Sequence, residues 1–171
     1  MNYIPTSNYE TITETKNLKI DNDKKFYEFN LLDIPGYTTD HIEEFNKNAD
    51  GIIFVYDISN MKSFSNLYFW MDKVKKSDLK DAPKILVGNK LDLENENLGI
   101  VRDKDGEDYA NKYKMKFIKT SARESYNVKE AFILLVKEIL EKRNNPQKEE
   151  IKTEDMLKKN TKKKQSCCCC I

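Results

Sequence analysis

Two short apolar runs, separated by a helical segment, restrict this chain to a fold built on parallel strands. Residues 51–56 read Gly-Ile-Ile-Phe-Val-Tyr and residues 83–88 read Pro-Lys-Ile-Leu-Val-Gly, the pattern of strands buried on both faces. Between them, Ser63 is predicted to cap a helix that runs to about Lys76. The apolar stripe of this helix comprises Phe64, Leu67, Trp70, Met71 and Val74. A strand, a helix and a second strand in this order form a βαβ unit, whose strands are parallel.

The alternation continues on both sides of this unit. Thr11–Ile20 and Lys25–Asp33 flank a polar turn and predict an antiparallel hairpin. Further predicted elements are helices at Thr39–Asn48, Asp103–Lys114 and Val128–Lys142, and a short strand at Phe117–Ile118. The last helix should turn Ala131, Phe132, Leu135, Ile139 and Leu140 inward. The sequence therefore predicts an α/β fold with a mostly parallel sheet flanked by helices.

Length and charge narrow the class of protein. The 171 residues suffice for one domain, and the 35% of charged residues are almost balanced, with a net charge of +1. This balance argues against general nucleic-acid binding, which requires a basic excess. No apolar run approaches the length of about 18 residues typical of a membrane-spanning helix. All four cysteines lie at positions 167–170, so the body of the chain holds none for disulfides, which suits a reducing cytosol.

Polar residues follow three of the predicted strands. They form the motifs Asp33-Ile34-Pro35-Gly36, Asn89-Lys90-Leu91-Asp92 and Ser121-Ala122-Arg123. Ligands of open α/β sheets bind at the carboxyl ends of the strands, so the three loops are expected to divide one ligand between them. Asp33 is placed to hold Mg²⁺ through water, and the Gly36 N–H to approach a terminal phosphate.

The second and third loops fit a guanine base. Asp92 can accept two parallel N–H bonds from the N1–H and N2–H₂ edge of guanine, a pair of donors that adenine lacks. Asn89 is expected to brace the loops, the Lys90 stem to cover the base face and the Ala122 N–H to meet the base carbonyl. The alternative is a strand followed by an ordinary polar turn, because Asn-Lys-x-Asp also occurs by chance.

With these three motifs in this order, residues 3–143 resemble the Ras-like small GTPases. Val55-Tyr56-Asp57-Ile58-Ser59 and Ser125-Tyr126-Asn127-Val128 are most similar to the Rab and Ras branches. The resemblance implies a small-GTPase-like three-layer fold at residues 1–143, lacking the family's first strand and first helix. It also implies GTP or GDP and Mg²⁺ as ligands, together with effector or regulator proteins as partners.

The sequence departs from that family on the phosphate side. It contains no G-x-x-x-x-G-K-[ST] loop, which in the family cradles the phosphates. The family strand before that loop lies mid-sheet, between the strand that ends at Asp33 and the strand at Gly51–Tyr56. We expect either unpaired backbone groups at this gap or direct pairing of its neighbours. A missing amino-terminal segment explains the gap better than decay of the protein, because the guanine-side residues are intact.

Two smaller departures concern hydrolysis and the metal. Tyr37 follows Gly36 where efficient family members have a glutamine that orients the attacking water, and Pro35 stiffens the turn. Hydrolysis is therefore expected to be weak or absent. Two residues are candidates for the family's threonine that senses Mg²⁺. Thr6 matches the local Tyr-x-Pro-Thr pattern, whereas Thr11 matches the spacing to Asp33. We assign this role to Thr11.

Residues 144–171 are predicted to form a flexible basic tail that carries a lipid anchor. Cys168-Cys169-Cys170-Ile171 fits the C-a-a-X frame for prenylation of Cys168, and Cys167 is a candidate for a second acyl group. Five lysines precede the cysteines and favour binding to an anionic membrane leaflet. They are Lys158, Lys159, Lys162, Lys163 and Lys164. Zinc binding by four adjacent cysteines and a merely low-complexity end are the alternatives.

Two functional hypotheses follow, beside a third interpretation of the chain as an unstable fragment with no independent role. The first is a nucleotide-dependent switch with an impaired or incomplete phosphate site, lipid-anchored at the cytoplasmic face of a cell membrane and active in signalling or vesicle traffic. The second is a nucleotide-free, prenylated pseudo-GTPase that serves as a constitutive protein-interaction module.

Overall fold

The computed structural model describes residues 13–20, 25–34, 49–96, 101–144 and 165–170. Within these ranges, six strands form one sheet in the order β1-β2-β6-β3-β4-β5. Their bounds are Thr13–Ile20 (β1), Lys25–Ile34 (β2), Gly51–Asp57 (β3), Lys84–Asn89 (β4), Lys116–Lys119 (β5) and Gln165–Cys170 (β6). The helices are Met61–Lys75 (α1), Asp103–Lys112 (α2) and Val128–Asn144 (α3), with a 3₁₀ helix at Leu91–Glu96.

The sheet confirms the predicted mixture of one antiparallel hairpin and parallel strands. Strands β1 and β2 are antiparallel, with Thr13 opposite Leu32 and Ile20 opposite Lys25. Strands β3, β4 and β5 are parallel neighbours. Their carboxyl ends therefore lie at one edge of the sheet, where a ligand site is expected.

Strand β6 is the feature that the sequence did not predict. It lies between β2 and β3 and is parallel to both. The expectation of unpaired or directly paired strands at this gap is wrong for the described residues, because residues 165–170 fill it. These residues belong to the segment interpreted as a flexible tail. Their strand pairs with sequence-distant neighbours, a relationship that local patterns do not reveal.

Helix α1 begins earlier than predicted, and its cap is a different residue. The Asn60 side chain accepts hydrogen bonds from the Lys62 and Ser63 N–H groups at 3.0 and 3.2 Å, as an N-cap does. Ser63 lies in the first turn, where its hydroxyl donates to the Asn60 carbonyl at 2.7 Å and accepts from the Asp57 N–H at 3.0 Å. The predicted cap Ser63 is thus wrong, but its hydroxyl joins the helix to the end of β3.

Side chains on the two faces of the sheet form two apolar layers. On one face, Ile52, Phe54 and Tyr56 pack with the buried stripe of α1 and with Tyr109 of α2. All five predicted stripe residues of α1 are buried. On the other face, the core consists of Phe29, Ile53, Ile85, Val87, Ala131, Leu135, Val136 and Ile139. This arrangement of helix, sheet and helix confirms the predicted three-layer fold class.

Helices α2 and α3 differ from prediction at their ends, and α3 also differs in three core positions. Helix α2 stops at Lys112, and Lys114 has a φ of 55°, which ends helical geometry. In α3, Val136 is buried although it was not predicted, whereas Phe132 and Leu140 are only partly buried. The predicted helix at Thr39–Asn48 lies outside the described residues. Among those described, no helix has the length and apolar character needed to cross a membrane.

Candidate functional site: the loops at the carboxyl ends of the parallel strands

The exits of β4 and β5 are joined by main-chain hydrogen bonds. The Thr120 N–H donates to the Gly88 carbonyl at 2.9 Å, and the Leu91 N–H donates to the Thr120 carbonyl at 2.9 Å. Thr120 and Ser121 are buried, at 4% and 0% exposure. The second and third motif loops therefore leave the sheet side by side, joined by hydrogen bonds.

Asn89 ties the two loops together through its side chain. Its Oδ1 accepts hydrogen bonds from the Thr120 hydroxyl and from the Ala122 N–H, both at 3.1 Å. The Ala122 N–H, predicted to meet a base carbonyl, is thus already satisfied by Asn89. A bound carbonyl oxygen would have to share this donor or replace the amide oxygen.

Asp92 lies in the 3₁₀ helix and faces the third loop. Its Oδ1 accepts the Ser121 hydroxyl at 2.6 Å, and its Oδ2 is 3.8 Å from Nη1 of Arg123. Only 9% of the Asp92 side chain is exposed, whereas Arg123 is 77% exposed. The carboxylate is therefore fixed through one oxygen, and among the described residues its second oxygen has only a long ion pair with the exposed Arg123.

Lys90 departs from regular backbone geometry and points its head group to β3. Its φ is 69°, a left-handed conformation that non-glycine residues seldom adopt. The Lys90 Nζ lies 2.7 Å from Oδ2 of Asp57. The lysine of the second motif is thus held by the carboxyl end of a third strand.

Asp57 is the site residue that the sequence reasoning missed. Its Oδ1 accepts both the N–H and the hydroxyl of Ser59, at 2.8 and 2.6 Å. Burial acts to raise the pKa of Asp57, but the hydrogen bonds from Lys90 and Ser59 outweigh it and leave the pKa below its ordinary value. The Asp57-x-Ser59 pattern directly after a buried strand was the available signal, since it is typical of a turn closed by the aspartate side chain.

Lys119 supports the same edge from β5. Its Nζ lies 2.6 Å from a Glu94 carboxylate oxygen and 2.8 Å from Oδ1 of Asp103. Burial lowers the pKa of Lys119, and the two carboxylates more than offset this, so that the pKa lies above its ordinary value. The Lys119 carbonyl accepts Nδ2 of Asn127 at 2.9 Å. The 3₁₀ helix, α2 and the third loop are thereby tied to one strand end.

The phosphate-side residues are described only in part. Asp33 lies near the end of β2, and its Oδ1 is buried with no hydrogen-bond partner within the part of the chain that the structure describes. The other predicted residues of this side lie outside the described residues, namely Thr6, Thr11, Pro35 and Gly36. No described contact joins Asp33 to the Asn89 and Asp92 loops.

Two shallow surface cavities lie away from these loops. One, of about 400 Å³, is lined by residues that include Asp50, Pro83 and Arg143. The other, of about 460 Å³, lies between α1 and α2 and includes Tyr68 and Lys112. Neither contains a predicted site residue, so the chemistry of the loops, rather than cavity size, defines the candidate site.

Comparison with known protein families identifies the class of protein to which this fold and these loops belong. The model of the Ras family matches residues 1–141. The chain therefore belongs to the Ras family, and its similarity is to the Rab and Ras types of small GTPase.

Rab-type proteins are among its curated relatives. The chain is 43% identical over 100 residues to the Ras-related protein RabH of Dictyostelium discoideum, covering 58% of this chain and 49% of that protein. It is 39% identical over 98 residues to human Ras-related protein Rab-8B, covering 57% of this chain and 46% of that one. It is 36% identical over 124 residues to the GTP-binding protein yptV2 of Volvox carteri, covering 71% and 57% respectively. The chain thus spans about half the length of the curated relatives it matches.

Proposed function

We propose that this protein is a guanine-nucleotide-binding switch of the Rab/Ras type. The observation that carries the proposal is the joining of two loops by Asn89, whose Oδ1 accepts from Thr120 and Ala122. This bracing holds Asp92, fixed by Ser121, beside the third loop. A site whose residues hold one another in place loses less conformational entropy when it binds.

Base selection follows from the chemistry of Asp92. An ionised carboxylate only accepts hydrogen bonds, and guanine presents two adjacent donors at N1–H and N2–H₂. Adenine would place its unprotonated N1 against the carboxylate, where two acceptors repel each other. The aliphatic stem of Lys90, with its ammonium group held by Asp57, would cover one face of the base.

The phosphate side is proposed to be weak. The sequence has no G-x-x-x-x-G-K-[ST] loop, and β6, which lies between β2 and β3, contains neither glycine nor lysine. Two or three charge-assisted hydrogen bonds to the base contribute roughly 4–6 kcal/mol. This free energy corresponds to a Kd of about millimolar to tens of micromolar. Hydrolysis should be slow, since Tyr37 stands where a water-orienting glutamine is expected.

Asp33 is the described residue that fits a magnesium ion. Its buried Oδ1 lacks a hydrogen-bond partner within the described residues, and a carboxylate oxygen suits Mg²⁺ directly or through water. Those residues contain no cluster of three or more histidine, cysteine or acidic side chains able to hold a metal. The ion would therefore depend on nucleotide phosphates and on Thr11 for its other ligands. When bound, Mg²⁺ would neutralise phosphate charge.

A lipid anchor at the cytoplasmic face of a membrane completes the proposal. Cys168 stands in the C-a-a-X frame, with Cys167 as a second acylation position. One lipid chain binds reversibly, and the five lysines at 158–164 supply the second signal, at up to about 1 kcal/mol each near an anionic leaflet. Replacing Cys168 with serine should move the protein from membranes to the soluble fraction. Unchanged fractionation would remove the anchor from the proposal.

Titration of the full chain with fluorescent GDP and Mg²⁺, competed with unlabelled GDP or ADP, tests the nucleotide part. We expect binding no tighter than tens of micromolar, together with clear preference for GDP. Sub-micromolar binding would contradict the weak phosphate site, and equal competition by ADP would contradict the guanine pocket.

The position of β6 favours a second candidate, a nucleotide-free, prenylated interaction module. Strand β6 pairs in parallel with β2 and β3 and so occupies the mid-sheet position from which the family's phosphate-binding loop leaves. Absence of any GDP binding at millimolar concentration, with intact folding and a stable partner interaction, would favour this candidate.

A further inference from the structure

Strand β6 places the cysteine segment in the interior of the sheet. The Cα atom of Cys168 is paired with Leu32 on one side and with Ile52 on the other, and that of Cys170 with Ile34 and Phe54. Three of these four flanking residues are buried, with Ile52 at 1%, Phe54 at 0% and Ile34 at 3% exposure. The segment that carries the lipidation frame is therefore a central strand, not an exposed one.

A strand that is hydrogen-bonded along both edges cannot bind to an enzyme in the way that a free peptide does. Its main-chain N–H and C=O groups are directed to the neighbouring strands, and those strands stand about 5 Å away on either side. An enzyme that modifies Cys168 has to enclose the segment around it. It can do so only after β6 has left the sheet.

The way in which β6 is connected allows it to leave. Its neighbours β2 and β3 come from early in the chain, and residues 145–164 join it to α3. No described helix or strand follows β6. Release would therefore expose the facing edges of β2 and β3 while their own pairings with β1 and β4 stay in place.

We propose that insertion of β6 into the sheet and lipidation of Cys168 exclude each other. This inference rests on the lipid anchor of the proposed function. In the reaction, the Cys168 sulfur bonds to C1 of a prenyl diphosphate, pyrophosphate leaves and the thiol proton passes to solvent. With β6 inserted, the chain stays unmodified. Once modified, the segment cannot return, because side chains of a strand project to the two faces of the sheet, and apolar layers already pack on both faces beside β6, with Ile52 in one layer and Ile53 in the other. The sheet thus controls whether the anchor forms.

The experiment compares prenylation of the full chain with that of a peptide of residues 158–171. Both are incubated with a prenyltransferase and its prenyl diphosphate, and modification is followed by mass spectrometry. We expect the full chain to react at least about tenfold more slowly than the peptide, because reaction waits for local opening. Equal rates would overturn the exclusion, and an inert peptide would overturn both this inference and the anchor.

A proline variant separates insertion from lipidation chemistry. Ser166→Pro keeps all four cysteines but places proline in a central strand, where it is not tolerated. The variant chain should react as fast as a peptide with the same substitution. Thr161→Pro, upstream of β6, is the matched control and should react as slowly as the wild-type chain.

Alkylation gives a readout that needs no lipid. Because all four cysteines lie within β6, maleimide labelling of the native chain reports on this strand alone. Slow labelling that Ser166→Pro accelerates, and Thr161→Pro does not, is the expected result. Fast labelling of the wild-type chain at the rate found in denaturant would show that β6 is not inserted and would overturn the inference even if prenylation succeeds.

Discussion

The Asp57 carboxylate holds the Lys90 ammonium group at 2.7 Å, and this contact joins the carboxyl ends of β3 and β4. Register places Asp57 directly beside Asn89 in the two strands. The next residue, Lys90, has a positive φ of 69°, and its side chain extends back to β3. The second motif loop is consequently fixed from both sides, by Asp57 at the end of β3 and by Thr120, which directly follows β5.

Replacing Asp57 with asparagine should destabilise the protein in a pH-dependent way. The folded-state pKa of Asp57 is lowered from its ordinary value of 3.8. Its stabilising contribution is therefore complete above the unfolded pKa and is lost as the pH falls through the lower folded value. We expect a loss of about 0.5–1.5 kcal/mol at pH 7, modest because Lys90 is half exposed. Urea unfolding at pH 7 and near pH 3 measures the difference.

The control is Asp72→Asn, which breaks an exposed ion pair with Lys76. It should change the free energy of unfolding by less than about 0.5 kcal/mol. An Asp57→Asn penalty that is the same at both pH values would refute the role of the charge.

Replacing Asn89 with alanine should destabilise the joined loops. The buried Thr120 hydroxyl would lose the Asn89 oxygen, and the Ala122 N–H would lose its acceptor. Leaving a buried polar group unpaired costs about 1–3 kcal/mol. Chemical denaturation measures this loss, with Asn111→Ala on the exposed side of α2 as the control. A change within the error of the control would show that Asn89 does not brace the loops.

Tyr56 requires a glycine in α2. A Cβ built on Gly106 would lie 2.6 Å from the Tyr56 hydroxyl oxygen and 2.8 Å from Cζ of Phe117. Gly106→Ala should therefore destabilise the protein by about 1–3 kcal/mol, the usual cost of overpacking. The same substitution in a Tyr56→Phe background should cost less, because the nearest clashing atom is gone. An equal cost in both backgrounds, from thermal or urea unfolding, would contradict this explanation.

Asp92→Asn should weaken guanine-nucleotide binding with little effect on adenine nucleotides. The amide keeps one acceptor and turns an N–H₂ group toward the base donors, which removes a charge-assisted bond of about 1.5–3 kcal/mol. Calorimetry or competition with GDP and ADP measures the selectivity. Glu107→Gln, an exposed carboxylate on α2, is the matched control. Retained preference for GDP in Asp92→Asn would exclude Asp92 from base recognition.

Sequence patterns predicted the parts of the fold that depend on local spacing. The α1 stripe from Phe64 to Val74 and the buried run at Gly51–Tyr56 are continuous signals of helix and strand, and both are present. The Asn89 and Asp92 loops could be predicted as neighbours because parallel strands end at one edge.

The remaining features depend on contacts between distant segments. Nothing in Gln165–Cys170 indicates pairing with both β2 and β3, since strand pairing is decided by partners rather than by the segment itself. The Asp57–Lys90 contact likewise needs the register of β3 on β4. At the α1 start, Asn60 and Ser63 are both good capping residues, and only the geometry distinguishes the cap from the first-turn residue.

The most direct test of the guanine pocket is a ¹⁵N NMR titration of the full chain with GMP and, separately, with AMP. We predict that GMP shifts the amide signals of Lys90, Leu91, Asp92 and Ala122, which surround the proposed base position, and that AMP at the same concentration leaves them unchanged. Identical shifts with both nucleotides, or GMP shifts that spare all four amides, would contradict the account.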